Sequence, residues 1–191
     1  MKTLNILLVG VGGQGTILAS KILAEVAMMQ GLDVKMSEIH GMAQRGGSVV
    51  TQVRMGEKIY GPVIDEGEAD FIVAFEKLEA LRWIHYLRPG GVVVVNNQQI
   101  DPMTVITGQF VYPPEILDTL LERADDVNIL DALQLAREAG SAKTVNVVLL
   151  GALARKMEIP KEDWHEAIRR TVAPAFLALN MAAFSAGLKE A

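Results

Sequence analysis

Eight residues, Val9-Gly10-Val11-Gly12-Gly13-Gln14-Gly15-Thr16, constrain this chain more than any other stretch. They follow an apolar run over residues 4–9 that reads as a buried parallel strand. They precede a helical pattern whose apolar face is Ile17, Leu18, Ile22, Leu23, Val26 and Ala27. Gly10, Gly12 and Gly15 thus form a G-x-G-x-x-G fingerprint in the strand–turn–helix setting that gives it physical meaning. Glycine lets the backbone turn sharply and come close to an anion, and a helix start offers free N–H groups and a partial positive charge. A diphosphate is the natural guest. The bland alternative is that the glycines only let strand and helix pack closely. Gly13 and Gln14 belong to the same anion-facing turn, and Thr16 is placed either to bond a phosphate or to cap the helix.

A nicotinamide enzyme with this fingerprint needs an acid at the end of the second strand to hold the ribose hydroxyls. The second strand is expected over residues 34–38, so Glu38 is the only well-placed acid, and it comes late; Asp33 precedes the strand. Beyond Glu38 runs His40-Gly41-Met42-Ala43-Gln44-Arg45-Gly46-Gly47-Ser48, a polar, glycine-rich loop at the end of a strand where open α/β sheets bind ligands. Arg45, set beside Gly46 and Gly47, carries a guanidinium able to grip a phosphate or carboxylate bidentately, or to pair with Glu38 or a carboxylate of another chain. His40, Met42 and Gln44 are candidates to line the same site. Glu76 follows a later core strand at the same edge, where it either lines the site or caps the next helix.

These two glycine-rich segments together carry a resemblance. Gly12-Gly13-Gln14-Gly15 with Ser37-Glu38, Gly41 and Arg45-Gly46-Gly47 resembles the gamma subunits, or gamma domains, of the 2-oxoacid:ferredoxin oxidoreductases. The likeness runs the whole length, through Ala69-Asp70-Phe71-Ile72-Val73-Ala74-Phe75-Glu76 and Asn146-Val147-Val148-Leu149-Leu150-Gly151, and is nearest to the small subunits of the indolepyruvate branch. It implies a complex, at home in anaerobic metabolism, that decarboxylates a 2-oxoacid on thiamine diphosphate. Electrons pass through iron–sulfur clusters to ferredoxin, and an acyl-CoA is released. The implied oxoacid is indolepyruvate or another aryl pyruvate. In such complexes the gamma part packs on the catalytic chain and helps form the coenzyme A side of the cavity. Gly10, Gly12, Gly13, Gln14, Gly15, Thr16, Glu38, Arg45, Gly46 and Gly47 are the residues it would contribute.

Composition bears on that expectation. The 191 residues include no cysteine, so an iron–sulfur cluster cannot be ligated here in the usual way. Asn96-Asn97 follows a strand, but no Gly-Asp-Gly lies upstream to complete the thiamine–magnesium pattern of the family. Thiamine diphosphate, magnesium and the clusters are therefore expected on a large partner chain, with coenzyme A as cosubstrate, ferredoxin as acceptor, and this chain inactive alone in a hetero-oligomer. A formal net charge of −5, with lysine and arginine scattered, argues against nucleic acid. Residues 172–188 lack any charge, but a span needs about 20 apolar residues, and Pro174 and Asn180 interrupt this one. The segment reads as a buried or partner-facing helix with Phe176, Leu179, Ala183 and Phe184 on one stripe. Residues 1–3 lead straight into the first strand, so no secretory leader and a cytoplasmic location are expected. Mean hydropathy of +0.26 is high for a free soluble domain and favours an obligate interface.

The expected architecture is α/β: a single domain over residues 1–191, with one doubly wound, mostly parallel, Rossmann-like sheet and helices on both faces. Strands are expected at 48–55, 71–75, 92–95, 104–106 and 127–130. Helices are expected at 77–87, 114–123, 132–139, 144–156 and 161–170, with Pro89-Gly90-Gly91 ending the first of these. Two other functions stay open at this point: a free-standing NAD(P)-binding oxidoreductase, and a nucleotide-binding regulatory module without catalysis.

Overall fold

The computed structural model describes residues 3–41 and 46–190. Six strands form one sheet: β1 (Leu4–Val11), β2 (Asp33–His40), β3 (Ser48–Gly56), β4 (Ala69–Ala74), β5 (Leu87–Asn96) and β6 (Asp126–Leu130). Their order is β2-β3-β1-β4-β5-β6, with β1, β4, β5 and β6 parallel and β3 running against both β1 and β2. Apolar side chains alternate along β1. Ile6 and Leu8 pack on one face, Leu7 and Val9 on the other, as a strand covered on both sides requires. The first face is covered by α1 (Thr16–Met29), α5 (Ala132–Glu138), α6 (Val145–Ala154), α7 (Lys161–Thr171) and α8 (Leu177–Glu190). The second is covered by α2 (Lys77–Trp83) and α4 (Ile116–Arg123). Helices on both faces of a mostly parallel sheet are what the sequence led us to expect.

One feature departs from a plain doubly wound order. The second strand of the chain does not lie beside the first; β3 takes that place and pushes β2 to the sheet edge. Burial explains the choice. Val49, Val50, Val53 and Met55 of β3 are buried, whereas Lys35, Met36, Glu38, Ile39 and His40 of β2 are exposed. The strand with the more apolar run takes the interior slot, and the charged one blunts the edge. Because β3 is antiparallel to β1, with Gly10 opposite Val49 and Val11 opposite Ser48, its start lies beside the end of β1. That register brings the two glycine-rich segments together.

Other boundaries differ from expectation for local reasons. The helix expected over residues 77–87 stops at Trp83, and a single 3-10 turn at Ile84–Tyr86 leads directly into β5. Pro89-Gly90-Gly91 lies inside β5, where pairing jumps from Ala69 opposite Leu87 to Phe71 opposite Val92. The bulge absorbs the extra residues, with Gly90 at φ +68°. Residues 104–106, expected as a strand, belong to the helical turn α3 (Met103–Ile106). Their β-branched side chains have no neighbouring strand to pack on, and β propensity without such packing counts for little. In α8, Ala183 and Phe184 are buried as expected, the latter stacked on Trp164 with ring centroids 5.8 Å apart. Phe176 sits on the preceding 3-10 turn, out of phase with that stripe, and is exposed. Among the described residues no helix is long and apolar enough to cross a membrane.

Candidate functional site at the carboxyl edge of the sheet

The glycine turn joins β1 to α1, and each of its constraints has a visible cause. A Cβ at Gly10 would fall 2.8 Å from Gln14 Oε1 and 2.9 Å from Phe75 Cβ. Gly13 and Gly15 have φ of +103° and +84°, a region that side chains rarely adopt. Gly15 caps α1, whose first residue is the buried Thr16. Gly12 N–H donates to Gly47 O at 2.8 Å, and Gly46 N–H donates to Gly12 O at 3.3 Å. The two glycine segments are thus stitched together by backbone hydrogen bonds, and neither is free to move without the other.

The Gln14 side-chain amide finds its partners within the fold. Its side chain turns back into the sheet, where Oε1 accepts from Val11 N–H at 2.7 Å and Nε2 donates to Phe75 O at 3.0 Å. It bridges the ends of β1 and β4, the point where the chain changes winding direction. Asn96, fully buried at the end of β5, extends this bridge. Its Nδ2 donates to Phe75 O at 3.1 Å and to Gln98 Oε1 at 3.0 Å, and its Oδ1 accepts from Ala132 N–H at 3.1 Å. A floor of side-chain amides therefore closes the crevice between β1, β4, β5 and β6.

Open space lies on both sides of the turn. One cleft, of about 370 Å³, is bounded by Gly12, Gly13, Gly15, Thr16, Ile17, Glu38, His40 and Val49. Glu38, late in sequence, still reaches this cleft because β2 runs on past the glycine turn; Thr51 Oγ1 donates to its Oε2 at 3.3 Å. His40 is exposed, its Nδ1 3.0 Å from Gly41 O. A second cleft, of about 460 Å³, has Gln98, Ile100, Leu133, Lys143 and Val145 around it and shares Gly13 and Gly15 with the first. Apart from the glycine turn itself, nothing in the sequence motifs pointed to this second cleft. Its other residues come from the loop after β5, from α5, from the 3-10 turn Ala142–Thr144 and from the start of α6, and they carry no fixed spacing. Arg45, Met42 and Gln44 fall outside the described residues.

Glu76 sits at the same edge but is turned inward and almost fully buried. It caps α2 by accepting from Glu79 N–H at 2.9 Å, accepts from Ile100 N–H at 3.2 Å, and accepts the hydroxyl of Tyr112. Burial and the adjacent carboxylate push the Tyr112 phenol well above its usual range, so it remains a donor. Glu76 anchors the loop after β5; of its two expected roles, the cap is the one observed. Glu79, also buried, accepts from Ser48 Oγ at 2.5 Å and meets Arg82 Nε at 3.2 Å. Burial raises its carboxyl above the ordinary value. No group of histidine, aspartate and glutamate arranged to hold a metal ion occurs among the described residues.

A mixed six-stranded sheet with a glycine turn at its winding switch, and clefts on both sides of that turn, defines a Rossmann-like α/β domain. The chain belongs to the pyruvate ferredoxin/flavodoxin oxidoreductase family, whose sequence model matches residues 5–190. It is 43% identical to the indolepyruvate oxidoreductase subunit IorB of Thermococcus kodakarensis, over 100% of this chain and 97% of that one. The keto/oxoacid ferredoxin oxidoreductase gamma subunit from Geobacter sulfurreducens superposes with a TM-score of 0.73 at 25% identity, covering 98% of this chain and 97% of that chain. The fold also matches part of the 2-oxoglutarate:ferredoxin oxidoreductase from Magnetococcus marinus, solved with 2-oxoglutarate, coenzyme A and succinyl-CoA bound. There the TM-score is 0.72 at 23% identity, covering 99% of this chain and 31% of that one. The chain is thus a small, gamma-type subunit of the 2-oxoacid oxidoreductases.

Proposed function

We propose that this chain forms the coenzyme A side of the cavity in a cytoplasmic indolepyruvate, or other aryl pyruvate, ferredoxin oxidoreductase. The observation that carries the reading is the glycine turn at the start of α1, open on both sides and tied to the Gly46-Gly47 segment. Such a turn offers backbone N–H groups and the positive end of a 14-residue helix to a diphosphate. With no cysteine in its 191 residues, the chain leaves the redox work to a large partner that bears thiamine diphosphate, magnesium and iron–sulfur clusters. In the overall reaction the oxoacid loses carbon dioxide and two electrons pass to ferredoxin. The acyl group is taken up by the coenzyme A sulfur with loss of its proton. This chain's part is to hold the phosphates, orient the thiol arm and exclude water.

Arg45 provides the test. Its guanidinium, next to Gly46-Gly47, is the proposed cation for the coenzyme A diphosphate. A charge-assisted hydrogen bond contributes roughly 1.5–3 kcal/mol, equivalent to about tenfold to hundredfold in affinity. In the assembled complex, Arg45→Ala is expected to raise the KM for coenzyme A by that factor. Arg45→Lys should fall between, because it keeps the charge and loses the planar fork. Exchange of carbon dioxide into the oxoacid should change far less. Unchanged coenzyme A kinetics, with the two chains dissociating, would make Arg45 an interface residue and remove the assignment.

A further inference from the structure

The two clefts beside the glycine turn differ in charge. On the β2 side the Glu38 carboxylate is exposed, accepts one hydrogen bond from Thr51, and has no cationic partner among the described residues. On the other side Lys143 is exposed at the rim, and its ammonium has no hydrogen-bond or ion-pair partner among the described residues. Both clefts include Gly13 and Gly15, so open space lies on either side of a group placed on the turn. A phosphate monoester carries about −1.5 to −2 charges near neutral pH. The Glu38 carboxylate repels such a group and the Lys143 ammonium attracts it, while Arg45, as proposed above, is taken up by the diphosphate on the turn. The walls beside Lys143, formed by Ile100, Leu133 and Val145, are apolar and suit the flat face of a nucleobase.

We propose that the two clefts are opposite arms of one ligand site, and that Lys143 selects a phosphorylated ribose in the cleft between the loop after β5 and the start of α6. The Glu38 arm then receives the uncharged part of the same molecule, whose amide and hydroxyl groups can donate to its carboxylate. This rests on the coenzyme A reading above and adds to it a direction: the phosphorylated nucleoside points toward Lys143 and the thiol arm passes Glu38 and His40. Lys143 is surface-exposed, so replacing it does not disturb the core.

Coenzyme A and dephospho-coenzyme A, which differ only in that phosphate, separate the possibilities. In the assembled complex the wild type should favour coenzyme A over the dephospho form by roughly tenfold in KM, the size of one charge-assisted contact. Lys143→Ala is expected to remove most of that preference by raising the KM for coenzyme A while leaving that for the dephospho form within about twofold of wild type. Lys143→Arg should restore it. Equal effects of Lys143→Ala on both substrates, or on neither, would overturn the proposal. If coenzyme A kinetics respond to Arg45→Ala but the preference ignores Lys143, only the direction assigned here fails. If they respond to neither variant, the coenzyme A reading itself fails.

Discussion

Asn146 and Gly15, 131 residues apart in sequence, are locked together: Asn146 Nδ2 donates to Gly15 O at 3.1 Å. The same nitrogen lies 2.8 Å from where a Gly15 Cβ would stand. Asn146 is nearly fully buried in the first turn of α6, a helix with all ten residues buried. The glycine turn is therefore not a free loop; it is clamped from behind by the most buried helix among the described residues.

Replacing either partner should have different consequences. Asn146→Ala leaves the Gly15 carbonyl with only the Ala19 N–H as donor, so one hydrogen bond worth about 0.5–1.5 kcal/mol is lost and the turn loosens. Gly15→Ala imposes a side chain on a left-handed backbone and a clash with the amide, a strain of about 1–3 kcal/mol. The double replacement removes the clash but not the strain, so its loss should be smaller than the sum of the two. Urea unfolding of the four proteins measures this directly; strict additivity would show that the two residues do not interact.

The contact between α6 and α8 depends on two further glycines. A Cβ at Gly151 would lie 2.2 Å from Phe184 O, and one at Gly187 would lie 1.9 Å from Val148 O. Backbone cannot yield as a flexible side chain can, so the helices would have to separate. Gly151→Ala should cost at least the upper part of the usual overpacking range, about 3 kcal/mol. At Gly61 nothing lies within 4 Å of the added carbon, and Gly61→Ala serves as the control. A Gly151→Ala protein as stable as the control would refute the close approach.

How far the sequence disclosed all this follows from what kinds of signal sequences carry. The glycine run sits between a strand-period and a helix-period segment, and turn chemistry is local, so β1, the turn and α1 were legible together. Glu38 could be placed by counting, because an acid at the end of a strand is a local pattern too. Which strand neighbours which is not local. The run 48–55 read correctly as a strand, one residue short of its end at Gly56, but its insertion between β1 and β2 depends on the competition between two strands for one interior slot. The direction of Gln14 was hidden for a similar reason. Its partners Val11 and Phe75 are backbone groups, and only Val11 is near it in the chain. Asn146 stood inside a matched motif without any hint of Gly15. Lys143 stood in no motif at all.

Glu79 gives stability a definite dependence on pH. Its carboxyl is buried among Ser48, Arg82 and Glu76, and burial, the largest influence, raises it above the ordinary value of 4.5. The folded chain then holds the proton more tightly than the unfolded chain. Between 4.5 and the raised folded value the native state binds more protons, so stability falls as pH rises through that window and stays lower above it. Below the window both states are protonated and the effect vanishes. Glu79→Gln keeps an acceptor for Ser48 and has no proton to lose, so it lacks this step. Urea unfolding of both proteins from about pH 4, below this window, up to about pH 8 should show wild type losing ground to Glu79→Gln as pH increases. Because Ser48 directly follows the Gly46-Gly47 segment that is bonded to Gly12, coenzyme A affinity in the complex should follow the same curve if that anchor also shapes the site. A stability difference that is flat with pH, or that grows in favour of wild type, would mean that the Arg82 contact outweighs burial at this carboxyl.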